Sequence, residues 1–306
     1  MAQSSFTIKN LRVTFNLSTN AVFQGTDANT LVLSGLRVSA NVRGYGFPSF
    51  PEMDLSVYGM RQADMQALSA LAFNPLEVVR NTVTLEANAG NGWAQVYSGQ
   101  ICSAFIDYSA APEVPLRVSA RVLFLESLAA APAVSYTGPT DVATMCSNIA
   151  GKVGYSFVNS GVTAQLSNPY CAGTVAEQLR NIALNSGIDC YTDNNQIEIC
   201  PKGQPRALPS FTLTPQSGLV GYPLPDSRGY IHTRALFNPA FRYGAPITIS
   251  GSDVVIDTKL PQTLNSRADG SWMIGWLSHT LEALKPNGAW FTDMLLYPPG
   301  QIPPIQ

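Results

Sequence analysis

The fold class of this chain is decided by one stretch, which reads Gly218-Leu-Val-Gly-Tyr-Pro-Leu-Pro-Asp-Ser-Arg-Gly-Tyr-Ile-His-Thr-Arg-Ala-Leu-Phe-Asn-Pro-Ala-Phe-Arg-Tyr-Gly-Ala-Pro-Ile-Thr-Ile-Ser-Gly251. It cannot be one helix, because its four prolines each fix φ and lack a backbone donor. A continuous strand is also disfavoured, since proline is confined to strand edges and bulges. The stretch is nevertheless rich in apolar residues. We therefore predict a long, ordered, apolar loop that forms a contact surface.

Composition favours a protein that is covered by other subunits. The 306 residues are enough for two or three domains. Only 12% are charged, about half of the roughly 25% that is usual in globular domains, and an exposed surface normally carries more charge. The alternative is a monomer whose surface is rich in Ser, Thr, Asn and Gln. The net charge of −2 gives no electrostatic basis for wrapping nucleic acid.

Cysteine usage predicts buried free thiols in a reducing cytoplasm. No Cys-x-x-Cys pair is present, so neither a zinc site nor a redox site is indicated. The five cysteines are Cys102, Cys146, Cys171, Cys190 and Cys200. The sequence has no apolar run long enough for a membrane span. It also has no basic segment followed by an apolar one, as a signal peptide would require.

Residues 1–130 read as a β-rich domain with one helix. Apolar residues alternate along several segments, for example from Leu36 to Val42. Residues 62–73 change to helical spacing, with Met65 and Leu68 on one stripe. The cluster Asn88-Ala-Gly-Asn-Gly92 predicts a hairpin turn. Together these features predict a small barrel or sandwich.

Residues 131–204 read as a small α+β domain. One helix starts at Thr140 or Asp141, and a second starts at the capping box Thr174-Val-Ala-Glu177. The segments Val142-Ala-Thr-Met-Cys-Ser-Asn-Ile-Ala150 and Val175-Ala-Glu-Gln-Leu-Arg-Asn-Ile-Ala183 share a Val-Ala and Asn-Ile-Ala frame. This match predicts a two-fold helix-strand repeat, the alternative being a chance match of two amphipathic helices.

Residues 205–297 return to a β-rich pattern, and residues 298–306 form a Pro-rich tail that is expected to be extended. A hairpin is predicted from Ile247 to Asp257, with Ser250-Gly-Ser-Asp253 as its turn. Two further strands are predicted around 272–284 and 290–297.

No catalytic or metal-binding pattern stands out. Of the two histidines, His232 is accompanied by Asp226 and Ser227, but no Gly-x-Ser-x-Gly nucleophile elbow is present. His279 is expected to be a partly buried strand residue that makes one hydrogen bond. No clustered metal ligands and no phosphate-binding loop are found. We therefore predict a non-enzymatic protein without a cofactor or metal.

Four motifs, in this order along the chain, carry a resemblance to a known family. They are Tyr97-Ser-Gly-Gln-Ile with Ala-Pro-Glu-Val-Pro-Leu-Arg-Val at 111–118, the paired helices closing on Asn195-Gln-Ile-Glu-Ile-Cys-Pro-Lys-Gly203, the Gly-Tyr-Pro to Gly-x-x-Ile stretch at 221–247, and Trp276-Leu-Ser-His-Thr-Leu-Glu-Ala with Pro-Asn-Gly-Ala-Trp290. With them the chain resembles the baseplate hub proteins of contractile-tailed bacteriophages, although some relatives are longer and carry a fourth domain.

The resemblance implies a fold and an assembly. The fold is α+β and β-dominated, with two tail-tube-like β-barrel domains (1–130 and 205–297) that flank the small α+β domain (131–204). Similar hub proteins form homotrimers whose six barrels make a ring, which adapts the six-fold tail tube to the three-fold central spike. The implied partners are the tail tube or a tube-initiator protein, the spike and other baseplate proteins. DNA would only pass through the lumen, and assembly in the host cytoplasm would place the chain in the virion.

Contacts with other subunits, the tube or the spike are expected in the stretch quoted above. The candidates are Tyr222, Pro223, Leu224, Ile231, Leu236, Phe237, Asn238, Pro239 and Phe241. A first alternative is a carbohydrate-binding tail protein that stacks sugars on Trp272, Trp276 and Trp290; the first two would share a strand face at this spacing. Core packing is the commoner fate of such residues. A second alternative is a peptidoglycan hydrolase.

Overall fold

A computed structural model describes residues 9–18, 22–23, 28–46, 49–72, 81–90, 92–226, 228–251 and 268–301. The helices are α1 (Gln62–Ala72), α2 (Val142–Val153) and α3 (Val175–Ser186). The strands are β1 (Asn10–Asn16), β2 (Thr30–Ser34), β3 (Val38–Gly44), β4 (Glu52–Tyr58), β5 (Thr82–Asn88), β6 (Ala94–Ile106), β7 (Pro115–Arg121), β8 (Val134–Ser135), β9 (Pro139–Asp141), β10 (Ser156–Asn159), β11 (Gln165–Ser167), β12 (Tyr170–Cys171), β13 (Ile188–Asp193), β14 (Gln196–Pro201), β15 (Phe211–Leu213), β16 (Leu219–Pro225), β17 (Ile231–Leu236), β18 (Pro246–Ile249), β19 (Gly270–Ala283) and β20 (Trp290–Tyr297). The fold is therefore α+β and β-dominated, as predicted.

Both β-rich segments contribute to one large sheet. Its strands lie in the order β16-β17-β20-β19-β3-β4-β7-β6-β5-β1-β2, and β18 pairs with both β19 and β15. The two halves of the sheet, β1–β7 and β15–β20, meet where β3 pairs with β19. Within the described ranges the sheet does not close into a barrel. The predicted domain boundaries at 130 and 204 remain predictions.

The first half of the sheet folds as its period-two pattern predicts. In β1, β3 and β5 every second side chain is buried, because alternate residues of a strand point to opposite faces. Helix α1 packs against β6 and buries Met65 and Leu68. The predicted stop of this helix at Asn74-Pro75 lies outside the described residues.

The stretch at 218–251 differs from the long loop that its prolines suggested. It forms the antiparallel hairpin β16–β17, a short connection and then β18. Pro223 and Pro225 are tolerated because β16 is the end strand of the sheet, where a missing donor breaks no inner ladder. The hairpin predicted from Ile247 to Asp257 is seen only as its first arm, β18, since its second arm lies outside the described residues.

The middle segment has the predicted pair of helices. Asp141 caps α2 by accepting a hydrogen bond from the Thr144 amide, and Gly154 ends this helix in the left-handed conformation. Thr174 and Glu177 form the predicted capping box of α3, which ends at Gly187. Helix α2 leads into β10 and α3 leads into β13, and both strands flank β14 in one small sheet.

Two main groups of buried side chains form the core. The larger group extends through the first half of the sheet and the middle segment, and it also contains Phe237, Leu281 and Trp290 from the second half. The smaller group lies within the second half, around Ile247, Ile274 and Leu296. Because the larger group includes residues from all three segments, the segments are packed against one another and not strung on flexible linkers.

Candidate functional site

The joint between the two sheet halves is the central feature of this molecule. Strands β3 and β19 pair antiparallel from Gly44–Leu277 to Val38–Ala283. Asn41 of β3 lies opposite Thr280 of β19, and its Nδ2 donates to the hydroxyls of Ser278 and Thr280 at 3.2 and 3.4 Å. The joint thus combines a backbone ladder with cross-strand side-chain hydrogen bonds, which fixes the register of the two halves.

A buried histidine lies at this joint. His279 pairs with Val42 of β3 on one side and with Thr292 of β20 on the other. The ring of Phe237 meets the His279 ring edge-on, with centroids 5.1 Å apart. Burial lowers the pKa of His279 to about 4, against an opposing hydrogen bond to the Phe241 backbone. The predicted strand position is confirmed, but His279 is fully and not partly buried, and it makes two hydrogen bonds and not one, with Thr292 and with the Phe241 backbone.

A buried ionic cluster fastens the middle segment to the second half. The guanidinium of Arg206 donates to Asp193 and Glu198, with N–O distances of 2.7 Å to each. Its backbone amide donates to Gly244 at 2.9 Å, and the Tyr191 ring stacks 5.0 Å from the guanidinium carbon. Burial alone would lower the pKa of Arg206, but its two acidic partners outweigh burial and raise it.

Sequence reasoning missed this cluster. Arg206 lies in what reads as a short linker, Pro201-Lys-Gly-Gln-Pro-Arg206. Its partners Asp193 and Glu198 lie in the hairpin β13–β14. The only available signal was that two acids flank the turn Asn194-Asn195 in a chain with few charges. That signal does not say which cation fills the space between them.

The nine predicted contact residues fall into three environments. Ile231, Phe237, Phe241 and Pro223 are buried within the chain, where they pack in the fold. Tyr222 and Leu224 are exposed on β16. Leu236, Asn238 and Pro239 are half-buried and line a groove of about 580 Å³, which Trp93 also lines. The surface available for contact is therefore the outer edge of β16 and this groove.

The three tryptophans of the glycan hypothesis do not form one face. Trp272 is buried in the smaller core group and Trp290 in the larger one. Trp276 is half-buried and lies on the opposite face from Trp272. The expectation that these two share a face is wrong, because a β-bulge between Ile274 and Trp276 reverses the alternation of side chains.

The described residues hold no group of three His, Cys, Asp or Glu side chains arranged to bind a metal ion. His232 is exposed and its Nε2 lies 3.9 Å from Asp226, while Ser227 lies outside the described residues. All five cysteines are free thiols, four of them buried and Cys102 half-buried. Among the described helices, none has the length and apolar character to cross a membrane.

Comparison with known proteins places this architecture. The sequence pattern of the family described as "Baseplate hub gp41" matches residues 10–282. This chain belongs to the baseplate hub gp41 family. It is therefore a structural component of a phage tail, found in the tail of the virion, where it associates with other tail or baseplate components. No curated protein sequence is significantly similar to it.

Solved structures share the fold of this baseplate hub protein. A tail protein from Neisseria meningitidis MC58 has a TM-score of 0.59 at 10% identity, over 94% of this chain and 96% of that chain. The 43 kDa tail protein of prophage MuSo2 from Shewanella oneidensis has a TM-score of 0.58 at 8% identity, over 94% and 97%. A chain of the Francisella PdpA-VgrG complex has a TM-score of 0.50 at 7% identity, over 97% of this chain and 54% of that one.

Proposed function

We propose that this chain is a non-enzymatic hub subunit of a contractile-tail baseplate, and that three copies form a ring around the tail axis. Each copy would supply two β halves, so the ring would present six similar units to a six-fold tail tube and three to a central spike. The tube or a tube-initiator protein, the spike and other baseplate proteins would be its partners. DNA would pass through the ring, which would assemble in the host cytoplasm.

The observation that carries this proposal is the β3–β19 joint. Two β-rich segments far apart in sequence meet edge to edge in one continuous sheet. A chain that already joins two such units side by side needs only a second, intermolecular joint to continue around an axis. Identical head-to-tail contacts close into a ring when the rotation from copy to copy completes a full turn. The low charged fraction of 12% fits a surface that partners cover above and below.

The site chemistry favours a structural role. His279 is held neutral in the core, because its pKa is about 4, and its ring packs against Phe237. Most of the charged side chains on the face of the sheet away from the core pair with each other, such as Arg43 with Asp54 and Arg234 with Asp293. A lumen wall of mutually neutralised charges would hold passing DNA weakly, since nucleic-acid affinity depends on unpaired cations.

The molar mass of the purified chain in solution tests the ring. Three copies of 32.8 kDa, or about 98 kDa, are expected by light scattering, either alone or with co-expressed baseplate proteins. A chain that stays monomeric under both conditions would overturn the proposal. A zymogram on peptidoglycan should show no clearing.

A further inference from the structure

The two halves of the sheet repeat one four-strand arrangement. In the first half the order is β3-β4-β7-β6, and in the second it is β16-β17-β20-β19. Each set consists of two hairpins whose second strands pair in the middle. Strand β6 therefore corresponds to β19, and β3 corresponds to β16.

The correspondence extends to single residues. Both β6 and β19 carry a bulge directly after the first two residue pairs that they form with the next strand, β7 or β20. The bulge residue is Cys102 in β6 and Gly275 in β19. The other edge of each bulged strand also pairs in the same register. In the first half, β5 begins to pair with β6 at Thr82, opposite Gln100. In the second half, β18 begins to pair with β19 at Pro246, opposite Met273, and Gln100 and Met273 each lie two residues before the bulge. A shared bulge position and a shared register are not expected of unrelated sheets.

The repeat identifies two edges that correspond to the β3–β19 joint. Within the chain, the outer edge of β19 receives β3. The counterpart edges are the end of β6, from Ser103 to Ile106, and the outer side of β16. In the described part of the chain, neither of these edges pairs with another strand. Helix α1 packs against β6, so a partner strand would meet β6 through its exposed side chains. A second copy that supplies β16 to the β6 edge would therefore continue the pattern from one chain to the next.

The prolines of β16 prevent this second joint from being a backbone ladder. The Asp226 amide donates to the Tyr230 carbonyl, so Asp226 and Tyr230 form a hydrogen-bonded pair. Such pairs alternate with non-hydrogen-bonded pairs along an antiparallel ladder. Pro225 and Ile231 therefore form a non-hydrogen-bonded pair, in which the backbone groups of Pro225 point away from β17. Its counterpart in β3 is Val42, which pairs with His279 at the β3–β19 joint. Pro225 has no N–H to offer at that position, and Pro223 lacks one as well.

Apolar side chains are exposed on both counterpart edges. On β16, Tyr222 and Leu224 are 60% and 63% exposed. At the end of β6, Phe105 is 42% exposed, and Tyr108 in the following turn is 62% exposed. When the β3–β19 register is transferred to these edges, Pro225 comes opposite Ile106, the last residue of β6. Leu224 then comes opposite Asp107 and the bulge that holds Tyr222 comes opposite Tyr108, both in the turn that follows β6.

We propose that β16 of one copy seats on the β6 edge of a second copy through Tyr222, Leu224, Phe105 and Tyr108, without a continuous backbone ladder. The ring then alternates between two kinds of joint: a hydrogen-bonded joint inside each chain and a side-chain joint between chains. This alternation reduces six similar units to three-fold symmetry. The inference rests on the proposed ring, since it needs a second copy.

Cross-linking of the double variant Y108C/L224C tests the joint directly. Only a disulfide between chains gives a linked species, because a disulfide within one chain leaves the mass of a monomer. Mild oxidation should therefore give linked dimers and trimers. The matched control is Y170C/L224C, because Tyr170 is equally exposed but lies on β12 in the middle segment; it should give no linked trimer.

Two further variants separate the side-chain joint from a ladder. Y222D/L224D should weaken association by tenfold or more, because each substitution replaces an apolar contact with a charge that the joint would bury without a partner. V32D, at an exposed position on the opposite end strand β2, should leave association unchanged. P225V restores the missing donor and should change association less than twofold, whereas a tenfold gain would show that the joint is a ladder.

The outcomes distinguish this inference from the proposed function. If the wild-type chain forms trimers while Y108C/L224C gives no linked species and Y222D/L224D associates normally, the assigned edges are wrong and the ring stands. If the wild-type chain is monomeric with and without its baseplate partners, the ring fails and the joint fails with it. Far-ultraviolet circular dichroism spectra of all variants should match that of the wild type, which shows that each chain folds, since every substituted side chain except that of Pro225 is exposed.

Discussion

His279 Nδ1 and Thr292 Oγ1 share a hydrogen bond of 2.8 Å between two strands in the core. Both residues are buried, and burial lowers the pKa of His279 from 6.5 to about 4. Protonation therefore favours the unfolded state, where the histidine is solvated. The stability that depends on neutral His279 is complete above pH 6.5 and is lost as the pH falls from 6.5 towards 4, by about 3 kcal/mol in all.

Urea unfolding between pH 4 and pH 7 measures this dependence. In H279N, the slope of unfolding free energy against pH should be much flatter over that window. The control is H232N, since His232 is the only other histidine and lies exposed on β17; its slope should match that of the wild type. An unchanged slope in H279N would contradict the assignment.

The Arg206 cluster predicts a large difference between two arginine variants. R206A leaves the buried carboxylate of Glu198 without its cation, which typically costs about 3–5 kcal/mol. R234A removes an exposed pair with Asp293, which should cost about 0–1 kcal/mol. Urea unfolding at pH 7 compares the two. If R206A were no more destabilising than R234A, Arg206 would not fasten the middle segment to the second half.

Burial also predicts poor reactivity of the cysteines. It raises the pKa of Cys102 to about 11 and the pKa values of Cys146 and Cys200 to about 12, and it raises those of Cys171 and Cys190 as well. Because the thiolate is the reacting species, the native protein at pH 8 should react slowly with a thiol reagent, whereas all five thiols should react quickly in urea.

One variant checks the source of the remaining native reactivity. Cys102 is the half-buried cysteine, and the other four are buried. C102S should therefore lose most of the slow native reaction. Rapid reaction of two or more thiols in the native wild type would contradict the burial seen for Cys146, Cys171, Cys190 and Cys200.

How much of this fold is readable from sequence depends on the range of the interactions. The capping box of α3 is a local signal and was predicted correctly. The cap of α2 is also local; the sequence narrowed it to Thr140 or Asp141, and the structure has Asp141. The role of β16 as an end strand was not predicted. A proline shows only that a backbone donor is missing, and both a loop and an end strand tolerate a missing donor. The position of a strand in a sheet is set by partners such as β17 and β20, which lie outside any local window.

The candidate site was only partly readable for the same reason. Tyr222, Phe237 and Phe241 are similar aromatic residues in one stretch, yet Tyr222 is exposed and the other two are buried. Their environments are set by contacts such as that of Phe237 with Trp290, at a centroid distance of 5.6 Å. The bulge at Gly275, which separates the faces of Trp272 and Trp276, also becomes visible only when β19 pairs with β20.

Two glycine variants should change stability in opposite directions. At the bulge residue Gly275, an added Cβ would lie 1.4 Å from Cε1 of Tyr297, and this ring is buried. G275A should therefore destabilise the protein by about 1–3 kcal/mol or more, as expected for overpacking. At Gly151, inside α2, an added Cβ meets no atom within 4 Å. G151A should stabilise the protein by about 0.5–1 kcal/mol, because alanine is the better helix former. Thermal and urea unfolding of both variants measures the two shifts, and a G275A protein as stable as the wild type would show that the Tyr297 ring is free to move away from the bulge.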